Sequence, residues 1–150
     1  MRRCLLLSSL LLLVAVAMRA EGWLLPLSGR QQYGVVIEAR GAELTGVCIV
    51  KTDDEGSRGA IVNEFGFHAL DFTLSADRRK VKLLNVMDRL DRWYIRKVVR
   101  KDLRMLWGAT QSGPQKSRRT ITVDADGTVV LTNQKYKLKY SLKRIDDTAK

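Results

Sequence analysis

From Tyr136 to Lys143 the chain reads YKLKYSLK, and its side chains alternate without a break. Tyr136, Leu138, Tyr140 and Leu142 fall at one parity; Lys137, Lys139, Ser141 and Lys143 fall at the other. Successive strand residues point to opposite faces, so the pattern specifies an extended strand with one packed and one solvated face. Lysines on a late strand also suit an exposed sheet edge, where they discourage pairing with another chain.

The same extended chemistry recurs upstream, in runs rich in β-branched and aromatic residues separated by turns. QYGVVIEAR and LTGVCIVKT read as the first two strands, and DDEGS at 53–57 turns the chain. RGAIVNE and FHALDFTLS follow, then the turn ADRRK and a fifth short strand, VKLLNV. RTITVD and TVVLTN flank the turn DADG, and GATQSGPQKS at 108–117 reads as a polar loop. One segment is helical, residues 88–107, with Asp88 at the N-cap and Asp91 at the capping-box position. The expected fold is α+β: a curved antiparallel sheet of about eight strands, an incomplete barrel, packed on one long helix.

The N-terminus has the layout of a secretory signal peptide over residues 1–17: Arg2 and Arg3, an apolar run, then small residues at 15–17. The apolar run is shorter than the roughly 20 residues of a spanning helix. Residues 18–31 read as a linker or loose arm, and 32–146 as a single domain. Cys48 is then the only cysteine of the mature chain; it pairs with nothing internally and reads as a small core residue. Export places the protein in the periplasm or on the periplasmic face of the outer membrane. The net charge of +11 then points to anionic lipid or a lipidated protein, and away from nucleic acid.

On a helical projection Met87, Leu90, Tyr94, Ile95, Val98, Val99, Met105 and Leu106 share one side, expected to cover the sheet. The opposite side carries Arg89, Trp93, Arg96, Lys97, Arg100 and Arg104. An indole among cations is what an interfacial helix uses, the ring at head-group depth and the cations on phosphates. Asp91 and Asp102 fall toward the apolar side, where a carboxylate needs a basic partner from the sheet. They lie about 16 Å apart along a helix, too far to act as a catalytic pair.

The segment NEFGFHALDF supplies Asn63, Glu64, Gly66 and Asp71, a motif without an assigned role. Gly66 suggests a positive φ, with Asn63 and Glu64 bonding the turn. Alternation puts His68 on the face of Leu70 and Phe72, as a core residue, and Asp71 on the other face. No nucleophile, base and acid converge, so no enzyme activity is expected. Neither a zinc set, a calcium loop nor a glycine-rich phosphate cradle occurs, so no cofactor is expected.

TGVCIVKT, IVNEFGFHALDF and the helix end RKDLRMLW together resemble an exported envelope protein family of Bacteroides-type bacteria, over about Leu44 to Trp107. The layout is also similar to the periplasmic lipoprotein-carrier fold, an incomplete barrel closed by helices over an apolar cavity. That resemblance implies a hydrophobic ligand such as an acyl chain, although this chain is shorter and lacks a lipidation cysteine. The expectation is a non-enzymatic envelope protein binding a lipid, acyl chain or lipidated partner. The alternative is an accessory subunit of an envelope complex that docks an acidic protein.

Overall fold

The computed structural model describes residues 22–145; the signal-peptide segment lies outside them. Strands β1 (Arg30–Ala39), β2 (Ala42–Asp53), β3 (Gly56–Asn63), β4 (His68–Ser75) and β5 (Val81–Val86) form an antiparallel meander. Helix α1 (Trp93–Trp107) follows, then β6 (Gly113–Gln115), β7 (Arg119–Val123), β8 (Val129–Asn133) and β9 (Leu138–Ile145). β9 pairs with β1, which joins the two meanders into one sheet of nine strands, ordered β5-β4-β3-β2-β1-β9-β8-β7-β6. The sheet is open, with β5 and β6 at its edges.

The sheet is therefore one strand larger than expected. The extra strand, β6, lies inside the stretch read as a polar loop and includes Pro114. Proline cannot donate to a ladder, so an edge position is where such a strand is tolerated. β9 in turn is not an edge strand: it lies between β1 and β8. The strand starts at Leu138, so Tyr136 and Lys137 precede it, and Tyr136 is exposed instead of packed. Within β9 the alternation holds, with Tyr140 and Leu142 buried and Lys139 and Lys143 exposed. The lysines meet acids instead of guarding an edge, Lys139 with Glu38 and Lys143 with Asp126, both at 3.4 Å.

The covered face of the sheet carries Tyr33, Val35, Cys48, Val50, Ile61, Phe72, Leu131 and Tyr140, all buried. α1 closes it with Leu103, Leu106 and Trp107. Trp107 is the central piece. Its ring meets Tyr33 edge-on at 5.5 Å and stacks on Phe72 at 6.1 Å between centroids. Its Nε1 is buried without an acceptor among the described residues. Phe72 reaches this position because Gly59 lies beneath it; a Cβ there would stand 2.3 Å from the Phe72 ring.

The helix is shorter than expected. It starts at Trp93 with Arg92 as its N-cap, and no side chain caps it. Residues 87–92 form turns instead, with Leu90 N–H on Met87 O and Asp91 N–H on Asp88 O. Arg89 is therefore in a loop, and Asp88 caps nothing. Only the C-terminal half of α1 is buried; Tyr94, assigned to the packed side, is exposed. The alternating charges along 88–92 satisfy a helical pattern, but no core lies beneath that turn to hold it.

The described residues before β1, 22–29, are docked and not a loose arm; 18–21 of the expected arm lie outside the described residues. Leu25 is buried, Leu24 N–H bonds Ala109 O at 2.9 Å, and the Tyr33 hydroxyl donates to Pro26 O at 2.5 Å. Arg78, in the β4–β5 turn, fastens them. Its Nη1 donates to Leu25 O at 2.8 Å and to Trp107 O at 3.0 Å, and its guanidinium sits 4.4 Å from the Trp23 ring centroid. A cation on the last carbonyls of α1 is also favoured by the helix dipole. One buried guanidinium thus joins three parts of the chain. Burial pulls its pKa down from the usual arginine value.

Candidate functional surface

Three polar assemblies stand out. The first is internal: Asp102 of α1 is fully buried and accepts from three strands. Arg119 Nε of β7 bonds Oδ1 at 2.5 Å, Asn133 Nδ2 of β8 bonds Oδ1 at 3.0 Å, and the Tyr140 hydroxyl of β9 bonds Oδ2 at 2.7 Å. The basic partner expected for Asp102 is therefore present. Both carboxylate oxygens accept hydrogen bonds, so the group fixes α1 against β7–β9. Burial, with the adjacent Asp102 charge, pushes the Tyr140 hydroxyl well above its ordinary pKa. Asp91 behaves differently: it is half-exposed and pairs with Arg96 on the surface.

The second is the hairpin 63–71. Asn63 Oδ1 accepts from Phe65 N–H at 3.1 Å and Phe67 N–H at 2.9 Å, and Gly66 has φ +84°. A short amide side chain that bonds the backbone two residues on is a turn-former, and the positive φ suits glycine. Asn63 and Gly66 therefore shape a turn; Glu64 is exposed on it. The expected burial of His68 does not hold. Ile61 pairs with Leu70 but Val62 with His68, so Ala69 is an extra residue, a β-bulge. Ala69 and Leu70 both turn inward, and His68 moves to the exposed face beside Asp71, 3.0 Å away. Asn85 Nδ2 of β5 also donates to Asp71, at 2.9 Å. Desolvation acts to raise the Asp71 pKa, but the bonds from Asn85 and His68 together hold it below the ordinary value.

This turn presents two aromatic rings to solvent, Phe65 at 76 % and Phe67 at 67 % exposure. The β5–α1 connection leaves the sheet at the same end, since Met87 N–H bonds Ala69 O. It delivers Trp93 and Tyr94, exposed by 78 % and 54 %, with their rings edge-on at 5.8 Å. Arg89 and Arg92 are exposed beside them in sequence. Four uncovered aromatics, two from each segment, thus lie toward one end of the molecule. From there α1 runs about 22 Å toward the β4–β5 turn, where its C-terminus meets Arg78.

The third assembly is an open groove of about 1090 Å³ along α1. Lys97, Arg100, Lys101 and Arg104 of the helix line it. The sheet contributes Lys51, Arg58 and Lys82, neighbours in one cross-strand row through Thr73. Arg79 and Lys80 complete it from the β4–β5 turn, and Asp53 and Glu55 are its only acids. None of the nine cations lies within ion-pair distance of a carboxylate among the described residues. Of the helical stripe expected from the sequence, Lys97, Arg100 and Arg104 therefore enter a common site. Arg96 and Trp93 do not line it, and Arg89 is off the helix. The sheet-side cations escaped the sequence reading because the register that aligns Lys51, Arg58 and Lys82 is non-local.

Among the described residues no three His, Cys, Asp or Glu side chains gather as a metal set, and no helix is long and apolar enough to cross a membrane. Cys48 is buried, and burial pushes its thiol up to about 12, which leaves it inert. No known family model matches the chain, and no curated protein is significantly similar to it.

Proposed function

We propose that this is a non-enzymatic, exported envelope protein that docks on an anionic lipid surface through its aromatic end. The observation that carries the reading is the exposure of Phe65, Phe67, Trp93 and Tyr94 toward one end of the molecule, with Arg89 and Arg92 exposed close to Trp93 in sequence. Exposed aromatics are costly in water and suited to the head-group layer, where an apolar ring and a polar rim are both satisfied. Neighbouring cations add roughly 1 kcal/mol each near a negatively charged leaflet. The Asn63–Gly66 turn has the function of holding Phe65 and Phe67 outward.

With Trp107, Leu106 and Leu103 packed against the sheet, this reading puts the lipid contact on the surface. That packing also favours a second reading, an accessory subunit whose basic surface docks an acidic envelope protein. Vesicle flotation separates the two. Lipid docking predicts binding to vesicles containing anionic lipid, weakened by salt and lost in a Phe65→Ser/Phe67→Ser/Trp93→Ser variant. Absence of flotation at low salt would reject it and leave the protein-docking reading.

A further inference from the structure

The groove between α1 and β2–β5 is separate in residues from the aromatic end, and its chemistry points to a ligand of its own. We infer that it binds a multiply phosphorylated anion, held at several phosphates at once. Nine Lys and Arg side chains line one groove of about 1090 Å³ against two acids. One of these, Asp53, already accepts the N–H groups of Glu55 and Gly56 in its own turn. Like charges closer than the Debye length, about 10 Å at 0.1 M salt, repel one another. An anion that spans them relieves that repulsion, and a longer anion relieves more of it.

The cations are also placed, not merely abundant. Arg79 and Lys80 sit on a turn locked at every corner. The Ser75 hydroxyl donates to Asp77 Oδ1 at 2.6 Å, Asp77 Oδ1 accepts Arg79 N–H at 3.0 Å, and Ser75 Oγ accepts Lys80 N–H at 3.0 Å. Arg78, just before them in the turn, holds φ +60°, and its buried guanidinium anchors the turn to α1. The anchor fixes the position of the turn relative to the helical cations, so the two walls are set before a ligand arrives. Such preorganisation lowers the entropy lost on binding. Four of the nine are arginines, whose planar fork matches phosphate oxygens in pairs. The width of the charged surface favours clustered phosphates over a single one.

The test is titration calorimetry of the mature protein with inorganic polyphosphate, with orthophosphate at equal total phosphate, and with duplex DNA. Polyphosphate binding is expected, falling about tenfold or more between low and moderate salt, as for other polyanions released of counterions. Lys97→Glu/Arg100→Glu/Arg104→Glu should weaken it at least tenfold, and Lys82→Glu on the sheet wall several-fold, with circular dichroism unchanged. Lys137→Glu, outside the groove, and the aromatic-end triple variant should bind as the parent does, which separates this site from membrane docking. Failure of polyphosphate to bind, equal binding by the charge-reversed variants, or orthophosphate binding as tightly would each overturn the inference. Tighter binding of DNA would also overturn it, reassigning the groove to nucleic acid.

Discussion

Arg119 Nε and Asp102 Oδ1 form an ion pair with both side chains withdrawn from solvent, at 4 % and 0 % exposure. It ties the only helix of the described residues to the strands that follow it. Removing one partner leaves the other charged, buried and uncompensated, which costs about 3–5 kcal/mol. Asp102→Ala and Arg119→Met are each expected to destabilise the fold by about that much in urea unfolding. The double variant Asp102→Leu/Arg119→Met should lose clearly less than the sum of the singles. Additive losses would mean that the pair is not coupled as its geometry requires.

Arg78 allows the clamp to be separated from the strain of its backbone. Arg78→Ala should cost about 3 kcal/mol, the scale of two charge-assisted hydrogen bonds at about 1.5 kcal/mol each. Arg78→Gly suits the φ of +60° but also lacks the guanidinium. It should be destabilised too, by about 1 kcal/mol less. A glycine variant as stable as the parent would show that the clamp contributes nothing.

Gly59 is the position where the core has no room for one carbon. Gly59→Ala should cost about 1–3 kcal/mol through displacement of the Phe72 ring and with it Trp107. Phe72→Leu in the same chain should recover part of the loss. Thermal unfolding of the two variants beside the parent measures both effects; a neutral Gly59→Ala contradicts the packing described.

The alkaline limb of stability follows from two buried tyrosines, with the buried Cys48 thiol, raised from 9.0 to about 12, acting in the same sense. Desolvation by burial, with the smaller opposing effects of Arg144 and Arg78, raises Tyr33 from 10.0 to about 12, and Tyr140 lies well above 10.0. A raised folded-state pKa gives stability that is complete below the unfolded value. It is lost as pH rises from 10.0 through about 12. Unfolding followed by denaturant midpoint should therefore show a steep decline in that window. Tyr33→Phe should lessen the decline, and a slope unchanged by that substitution would argue against the assignment.

Much of the architecture was legible because its signals are local. The parity of Tyr140 and Leu142, the turns at 53–57 and 76–80, and the need of Asp102 for a basic partner were all readable along the chain. What escaped depends on who pairs with whom. The lysines of β9 look like edge protection until β1 is seen beside them. A single bulge at Ala69 reverses the face of His68, and no alternation rule registers one extra residue. The stripe on α1 was visible, but the groove it forms needs Lys51, Arg58 and Lys82 brought into one row. The helix start failed for a related reason: residues 88–92 carry a helical pattern over no core.

The central claim, that the aromatic end enters a lipid head-group layer, is most directly read from Trp93. Trp107 is buried and Trp23 is covered by Arg78, so Trp93 is the indole left open to solvent. Adding vesicles with anionic lipid at low salt should shift the tryptophan emission to shorter wavelength. The shift should be absent with purely zwitterionic vesicles and in Trp93→Phe. Emission unmoved by anionic vesicles, or a shift that persists in Trp93→Phe, would contradict the account.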